Sequence, residues 1–286
     1  MTKALPGINT QQFAAKTISK DQPALLFRKT VFMCILFIAL EQHPDYPVII
    51  CANRDEFHQR PTQNMHWWSQ QNILAGKDLQ AGGSWLGLNS EGCFSALTNF
   101  RRPESFAQSK RSRGDLVVRA LQDDAIKTQQ YLSQASHQYN DFNLVFGPLT
   151  NLQAFDSVNK KVLKLEPGFH SVCNGALDDI WPKMALGIKT LEELITSKEI
   201  DMTELFAVMT NRELAQTQYL PVTGISAELE SLLSSIFIVS PDYGTRSTAL
   251  ILQSKQGGIK VYERNYSQEG DVLNQNNFAI DASTKT

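Results

Sequence analysis

The sequence of 286 residues has few cysteines, little net charge and no long apolar run. The four cysteines, Cys34, Cys51, Cys93 and Cys173, are scattered and form no CxxC pair. That argues against a disulfide framework or a zinc knuckle and for a reducing compartment, the cytoplasm. A formal net charge of −2 gives no global field to draw the chain to nucleic acid or an anionic membrane. The most apolar run, residues 32–40, is far below the roughly 20 residues that span a bilayer. Arg28 and Lys29 precede it as in a signal peptide, but only Ile38-Ala39-Leu40-Glu41 stands where a small-x-small cleavage site belongs. The run therefore reads as a buried strand. There is no HExxH, and Gly82-Gly83-Ser84 lacks the ending of a phosphate-binding loop, so no metal, nucleotide or other cofactor is expected.

What is present is organised around residues 33–55. Two apolar runs flank His43-Pro44-Asp45 and read as paired strands. The hairpin would bring Cys34 back beside Asn53-Arg54-Asp55. Further short strands are expected around residues 66–68, 73–75, 85–88, 93–99, 142–146, 152–156, 161–165, 170–173, 236–239, 245–252 and 259–264. Helices are expected over 115–121, 123–136 with Asp123 as cap, 182–195 with proline in the first turn, and 202–209. Strand groups with short turns, separated by helix pairs, predict an α+β fold of antiparallel sheets covered by helices. Residues 33–268 read as one domain. Residues 1–32 read as a leader, a disordered tail or an upstream start artefact, and 269–286 as a flexible C-terminal tail.

Three features carry chemistry. A cysteine needs activation, and one route uses its own α-amine as base. Met33-Cys34 suits that route only if translation starts at Met33 or residues 1–33 are removed, because an internal nitrogen is an amide. The plain alternative is a core cysteine. Asn53-Arg54-Asp55-Glu56 reads either as a solvated turn or as a strand end where Asp55 orients the Cys34 amine. A third reading takes Asp55, Glu56 and His58 as metal ligands. Asn99 and Asn174 each end an apolar strand, where a side-chain amide can donate to an oxyanion or begin a turn.

Several ordered motifs resemble one family: Met33-Cys34, Cys51-Ala52-Asn53-Arg54-Asp55-Glu56-Phe57, Gly82-Gly83-Ser84-Trp85-Leu86-Gly87, Leu97-Thr98-Asn99-Phe100-Arg101 and Tyr243-Gly244-Thr245-Arg246-Ser247-Thr248. These are similar to the NRDE family, also called the transport and Golgi organization 2 family, from Met33 to about residue 265. More distantly the chain resembles N-terminal-nucleophile hydrolases of the bile-salt hydrolase and penicillin V acylase branch. That resemblance implies a four-layer αββα sandwich, with Cys34 as nucleophile, Asp55 as amine-orienting acid, Asn99 as oxyanion donor and Asn174 as second asparagine. Ala52 stands where that branch has an arginine; Arg54, two places on and on the same strand face, is the candidate substitute. Arg246 is the candidate for a later active-site arginine.

Two function classes follow. One is a cysteine amidohydrolase acting on a small amide or acyl substrate. The other is a non-catalytic handler of an apolar, anionic ligand, since members of the resembled family are linked to haem mobilisation and acyl-coenzyme A or lipid homeostasis. In either case the partner is a small molecule. Arg101 and Arg102, in a basic stretch with Lys110, Arg111 and Arg113, are expected to grip an anionic group or else to sit in a solvated loop. Trp85 is expected in the ligand pocket or the core.

Overall fold

A computed structural model describes residues 33–177, 179–196 and 199–281. The expectation for residues 1–32 lies outside them. The first sheet has six strands: β1 (Met33–Leu40), β2 (Val48–Phe57), β10 (Gly168–Val172), β11 (Tyr243–Gln253), β12 (Ile259–Tyr266) and β13 (Val272–Ile280), in the order β10-β1-β2-β11-β12-β13. The second has seven strands in chain order: β3 (Thr62–Trp68), β4 (Ile73–Asp78), β5 (Leu86–Asn89), β6 (Cys93–Asn99), β7 (Phe142–Pro148), β8 (Gln153–Asp156) and β9 (Lys161–Lys164). Every strand pair is antiparallel.

The apolar run that opens the domain is continuous because β1 is buried on both faces. Leu36, Ile38 and Leu40 join Val48, Ile50, Leu88, Phe94 and Val145 between the sheets. Ile35, Phe37 and Ala39 face α3 (Pro182–Ile195) and α4 (Met202–Met209), packing with Met184, Leu191, Phe206 and Met209. Gly187 lets α3 approach, since a Cβ there would meet the Phe37 ring at 2.1 Å. On the far side α1 (Gly114–Gln122) and α2 (Ala125–Ala135) set Leu116, Val117, Leu121 and Leu132 on Ile73, Leu144 and Phe146. The result is the four-layer αββα sandwich. Each sheet buries two faces, as a strand with little polar alternation requires.

Four sequence expectations are corrected. The cap of α2 is Asp124, whose carboxylate accepts from the Lys127 N–H at 2.8 Å, not Asp123. Residues 236–239 form no strand, only the single bridge Val239↔Gly244. A short helix, α5 (Ala227–Leu232), was not expected. Half of the stretch expected as a loose tail, Val272–Ile280, is β13, paired to β12 from Ile259↔Ile280 to Tyr266↔Val272. Its polar residues concealed it; they pair with β12 side chains instead of packing, as Asn274 does in accepting from Asn265 Nδ2 at 2.9 Å.

Candidate active site

The β1–β2 register puts Met33 opposite Asp55, Cys34 opposite Arg54 and Ile35 opposite Asn53. Directly paired residues share a face. Cys34 and Arg54 therefore project between the sheets, on the face of Leu36 and Ala52. Asp55 and Asn53 point the other way, toward α3 and α4. The Asn-Arg-Asp-Glu run is no solvated turn: it lies inside β2, and all four residues are buried.

Cys34 opens on a cavity of about 570 Å³ whose wall includes Arg54, Glu56, Trp85, Asn99, Lys110 and Arg113. The Arg54 guanidinium lies 4.3 Å from the centre of the Trp85 ring, with Nη2 3.6 Å from Glu56 Oε2. Its Nη1 has no hydrogen-bond partner among the described residues. Trp85 can lie there because residue 76 is glycine; a Cβ would meet its ring at 2.2 Å. The Gly82-Gly83-Ser84 turn docks the start of α1. The Ser84 N–H donates to the Gly114 carbonyl at 3.1 Å, and a Cβ on Gly83 would strike the Gly114 carbonyl carbon at 2.4 Å. That contact sets Arg113 and Gly114 on the cavity wall.

Asp55 sits beneath this cavity floor. Its Oδ1 accepts from Thr245 Oγ1 at 2.6 Å, and its backbone carbonyl accepts from the Tyr243 hydroxyl at 3.0 Å. Oδ2 has no partner among the described residues. Burial pushes the carboxyl up to about 6, opposed by the Lys183 charge and the Thr245 hydrogen bond. Burial also pushes the Cys34 thiol up to about 12; the Asp55 charge adds to this and the Arg54 charge opposes it. With residue 33 in place, Cys34 is a protonated thiol on an amide nitrogen.

The Asp55 shift gives a test with a definite sign. Raised from 3.8 to about 6, the carboxyl holds more proton in the folded than in the unfolded chain across that interval. Its contribution to stability is full below the lower value and is lost as pH rises through the upper one. Asp55→Asn cannot ionise, so its urea midpoint should gain on the parent's as pH is raised through about 4 to 7. A midpoint difference that stays constant with pH would remove the assignment.

Asn99 lines the cavity with Cys34. Asn174 is its neighbour but faces away: Nδ2 donates to the Asn99 carbonyl at 2.7 Å, and Oδ1 accepts from Cys173 Sγ at 3.0 Å. Asn174 lines a separate cavity with Arg101 and Arg102. Arg101 is no solvated loop residue. It is buried, hydrogen-bonded through Nη1 to Glu230, and stacked 4.7 Å from the centre of Trp181. Arg102 is half exposed beside Glu104 and Asp141. Arg246 donates to the backbone carbonyls of Phe57 and His58 at 2.9 and 3.1 Å and does not line the Cys34 cavity. The metal reading of Asp55, Glu56 and His58 is corrected: Asp55 and Glu56 occupy opposite faces of β2, and His58 Nε2 lies 3.0 Å from the Ser240 carbonyl oxygen. No group of metal-ligating side chains occurs among the described residues.

Sequence reasoning did not set Glu56 or Arg113 beside Cys34: it read Glu56 as a turn residue or metal ligand and Arg113 as one cation of the basic stretch. The alternation that puts Arg54 on the cavity face also puts Glu56 there, so that signal was available. Arg113 was hidden in a basic stretch, because only the docking of α1 separates it from its neighbours.

The model of the family Transport and Golgi organisation 2 matches residues 33–268. The bovine Transport and Golgi organization protein 2 homolog is 32% identical over 262 residues, covering 81% of this chain and 92% of that protein. The human homolog is 31% identical over 259 residues, with the same coverage of each. Among solved structures, a mutant conjugated bile acid hydrolase from Clostridium perfringens aligns with a TM-score of 0.46 and 12% identity, over 90% of this chain and 94% of that one. With its match beginning at Met33 and enclosing the Asn-Arg-Asp-Glu strand and the whole Cys34 cavity, the chain belongs to the Transport and Golgi organisation 2 family.

Proposed function

We propose that this protein is a cysteine amidohydrolase for a small amide or acyl substrate, with Cys34 as its N-terminal nucleophile once residues 1–33 are gone. The observation that carries this reading is the buried Asp55 Oδ2, without a partner among the described residues, on the residue that pairs with the one preceding Cys34. A free Cys34 amine would lie at that strand end, beside a carboxylate whose Oδ1 is held by Thr245 and whose Oδ2 has no partner among the described residues. The amine takes the thiol proton, and Sγ attacks the substrate carbonyl carbon. The Asn99 amide, on the same cavity wall, donates to the oxyanion. The C–N bond then breaks, the amine returns its proton to the leaving nitrogen, and water cleaves the thioester. The four free thiols fit the reducing compartment expected from the sequence, and we place the protein in the cytoplasm. Among the described residues no helix is long and apolar enough to cross a membrane.

The second reading, a non-catalytic handler of haem, acyl-coenzyme A or lipid, is favoured for any chain that keeps residue 33. There the thiol, pushed up to about 12, and the amide nitrogen supply neither nucleophile nor base. The test compares alkylation rates against pH for protein beginning at Met1 and protein proven by intact mass to begin at Cys34. Cys93 is the internal reference, since it is half-buried whereas Cys51 and Cys173 are buried. We expect Cys34 to outpace Cys93 only in the shortened protein. A Cys34 no faster than Cys93 there would end the hydrolase reading.

A further inference from the structure

We propose that the Cys34 cavity is built for a small amide that carries a carboxylate, and that Arg54 and Arg113 receive that carboxylate. The reacting carbonyl is taken from the amidohydrolase reading; the binding half stands without it.

Arg54 is the anchor. Its side chain is 5% exposed, it lines the cavity, and Nη1 has no partner among the described residues. A guanidinium N–H buried without an acceptor is costly, and a ligand oxygen would relieve it. Glu56 at 3.6 Å neutralises the other arm only loosely. Stacking on Trp85 fixes the plane of the fork, and a fixed fork suits a planar carboxylate better than a point charge does.

The rest of the wall adds positive charge. Arg54, Arg60, Lys110, Arg111 and Arg113 stand against Asp55, Glu56 and Asp78. Arg60 and Asp78 close on each other at 2.6 Å, and Asp55 projects to the other face of the sheet. Arg111 pairs with Asp115 at 2.6 Å outside the cavity lining. Of the acids in the lining, this leaves Glu56 for Arg54, Arg113 and Lys110. Arg113 donates from Nη1 to the Asp141 carbonyl at 3.0 Å, which steadies the side chain. It is close enough for the charges of Glu56 and Asp141 to act on it. It also heads α1, at the end where the helix macrodipole is positive and where Ser112 Oγ accepts from the Gly114 N–H at 3.3 Å. An uncharged amide would bury the Arg54 fork without an acceptor, so the site discriminates against it.

The test is equilibrium binding to full-length Cys34→Ala protein, which lacks the thiol of the cavity. The probes are hippurate, a small amide with a carboxylate, and hippurate methyl ester. Hippurate should bind at least roughly tenfold more tightly than its ester, the worth of a charge-assisted hydrogen bond to a buried group. The preference should shrink as salt is raised. Adding Arg54→Gln or Arg113→Gln should abolish the preference, whereas Arg102→Gln, in the neighbouring cavity, should keep it. If Arg54→Gln does not fold, Arg113→Gln alone decides. Equal binding of acid and ester, no binding of either, or a preference that survives Arg113→Gln would overturn the proposal. Failure of the hydrolase reading would look different: no turnover in protein beginning at Cys34, with the binding preference intact.

Discussion

Glu230→Ala is expected to lower the unfolding free energy by about 3–5 kcal/mol, the usual result of removing one partner from a buried ion pair. Glu230 lies on α5 and is 4% exposed; Arg101 is 5% exposed. Its Oε2 holds Arg101 Nη1, and its Oε1 accepts from the Thr223 backbone N–H at 3.0 Å. Burial alone lowers the pKa of Arg101, and the Glu230 charge opposes this. Without the carboxylate, the guanidinium is left against Trp181 in a site that resists charge. Glu230→Gln keeps an acceptor and should lose less. Arg102→Ala, at a half-exposed side chain, should fall within about 0.5 kcal/mol of the parent. Urea denaturation of the three variants checks the order. If Glu230→Ala matched Arg102→Ala, Arg101 would revert to the sequence readings of a solvated loop or a grip on an anionic group.

The second large effect concerns Cys34 and Asp55 in protein beginning at Cys34. Cys34→Ala should lower amine release from a panel of small carboxylate-bearing N-acyl anilides by at least about a thousandfold, with the fold retained. Asp55→Asn should lose most of the same activity, because the amine loses its charged partner while Thr245 still has an acceptor at residue 55. The double variant should be no worse than Cys34→Ala, since residues of one catalytic unit do not give additive losses. Separate additive losses would mean that Asp55 acts on stability alone. A Cys34→Ala protein as active as its parent would exclude the thiol from the reaction.

How much could be read beforehand varies from element to element. The β1–β2 hairpin, α3 and α4 were legible because apolar period and proline placement agree with where the burial lies. The inward placement of Cys34 with Arg54 followed from strand alternation once the register was right. β13 was illegible because Asn274, Asn276 and Asn277 carry no apolar signal; pairing with β12 makes it a strand. The burial of Arg101 was illegible too. Its partner lies 129 positions away on a helix of six residues, and nothing local distinguishes it from Arg102. Asn174 was singled out as a second oxyanion donor, but its Nδ2 donates to the Asn99 carbonyl.

The place of β2 in its sheet has a consequence for biosynthesis. It lies between β1, its hairpin partner, and β11, with Val48 paired to Gln253 and Phe57 to Tyr243. While the chain is emerging from the ribosome, β1 and β2 can zip together early, but the second edge of the Asn-Arg-Asp-Glu strand stays bare until residues 243–253 arrive. Pairings across such sequence separations are slow to close and leave aggregation-prone edges exposed in the meantime. Thr245, which holds Asp55, comes on that late strand. A nascent chain halted before β11 would thus carry every residue of the Cys34 hairpin and still lack the hydrogen bond that sets its acid in place.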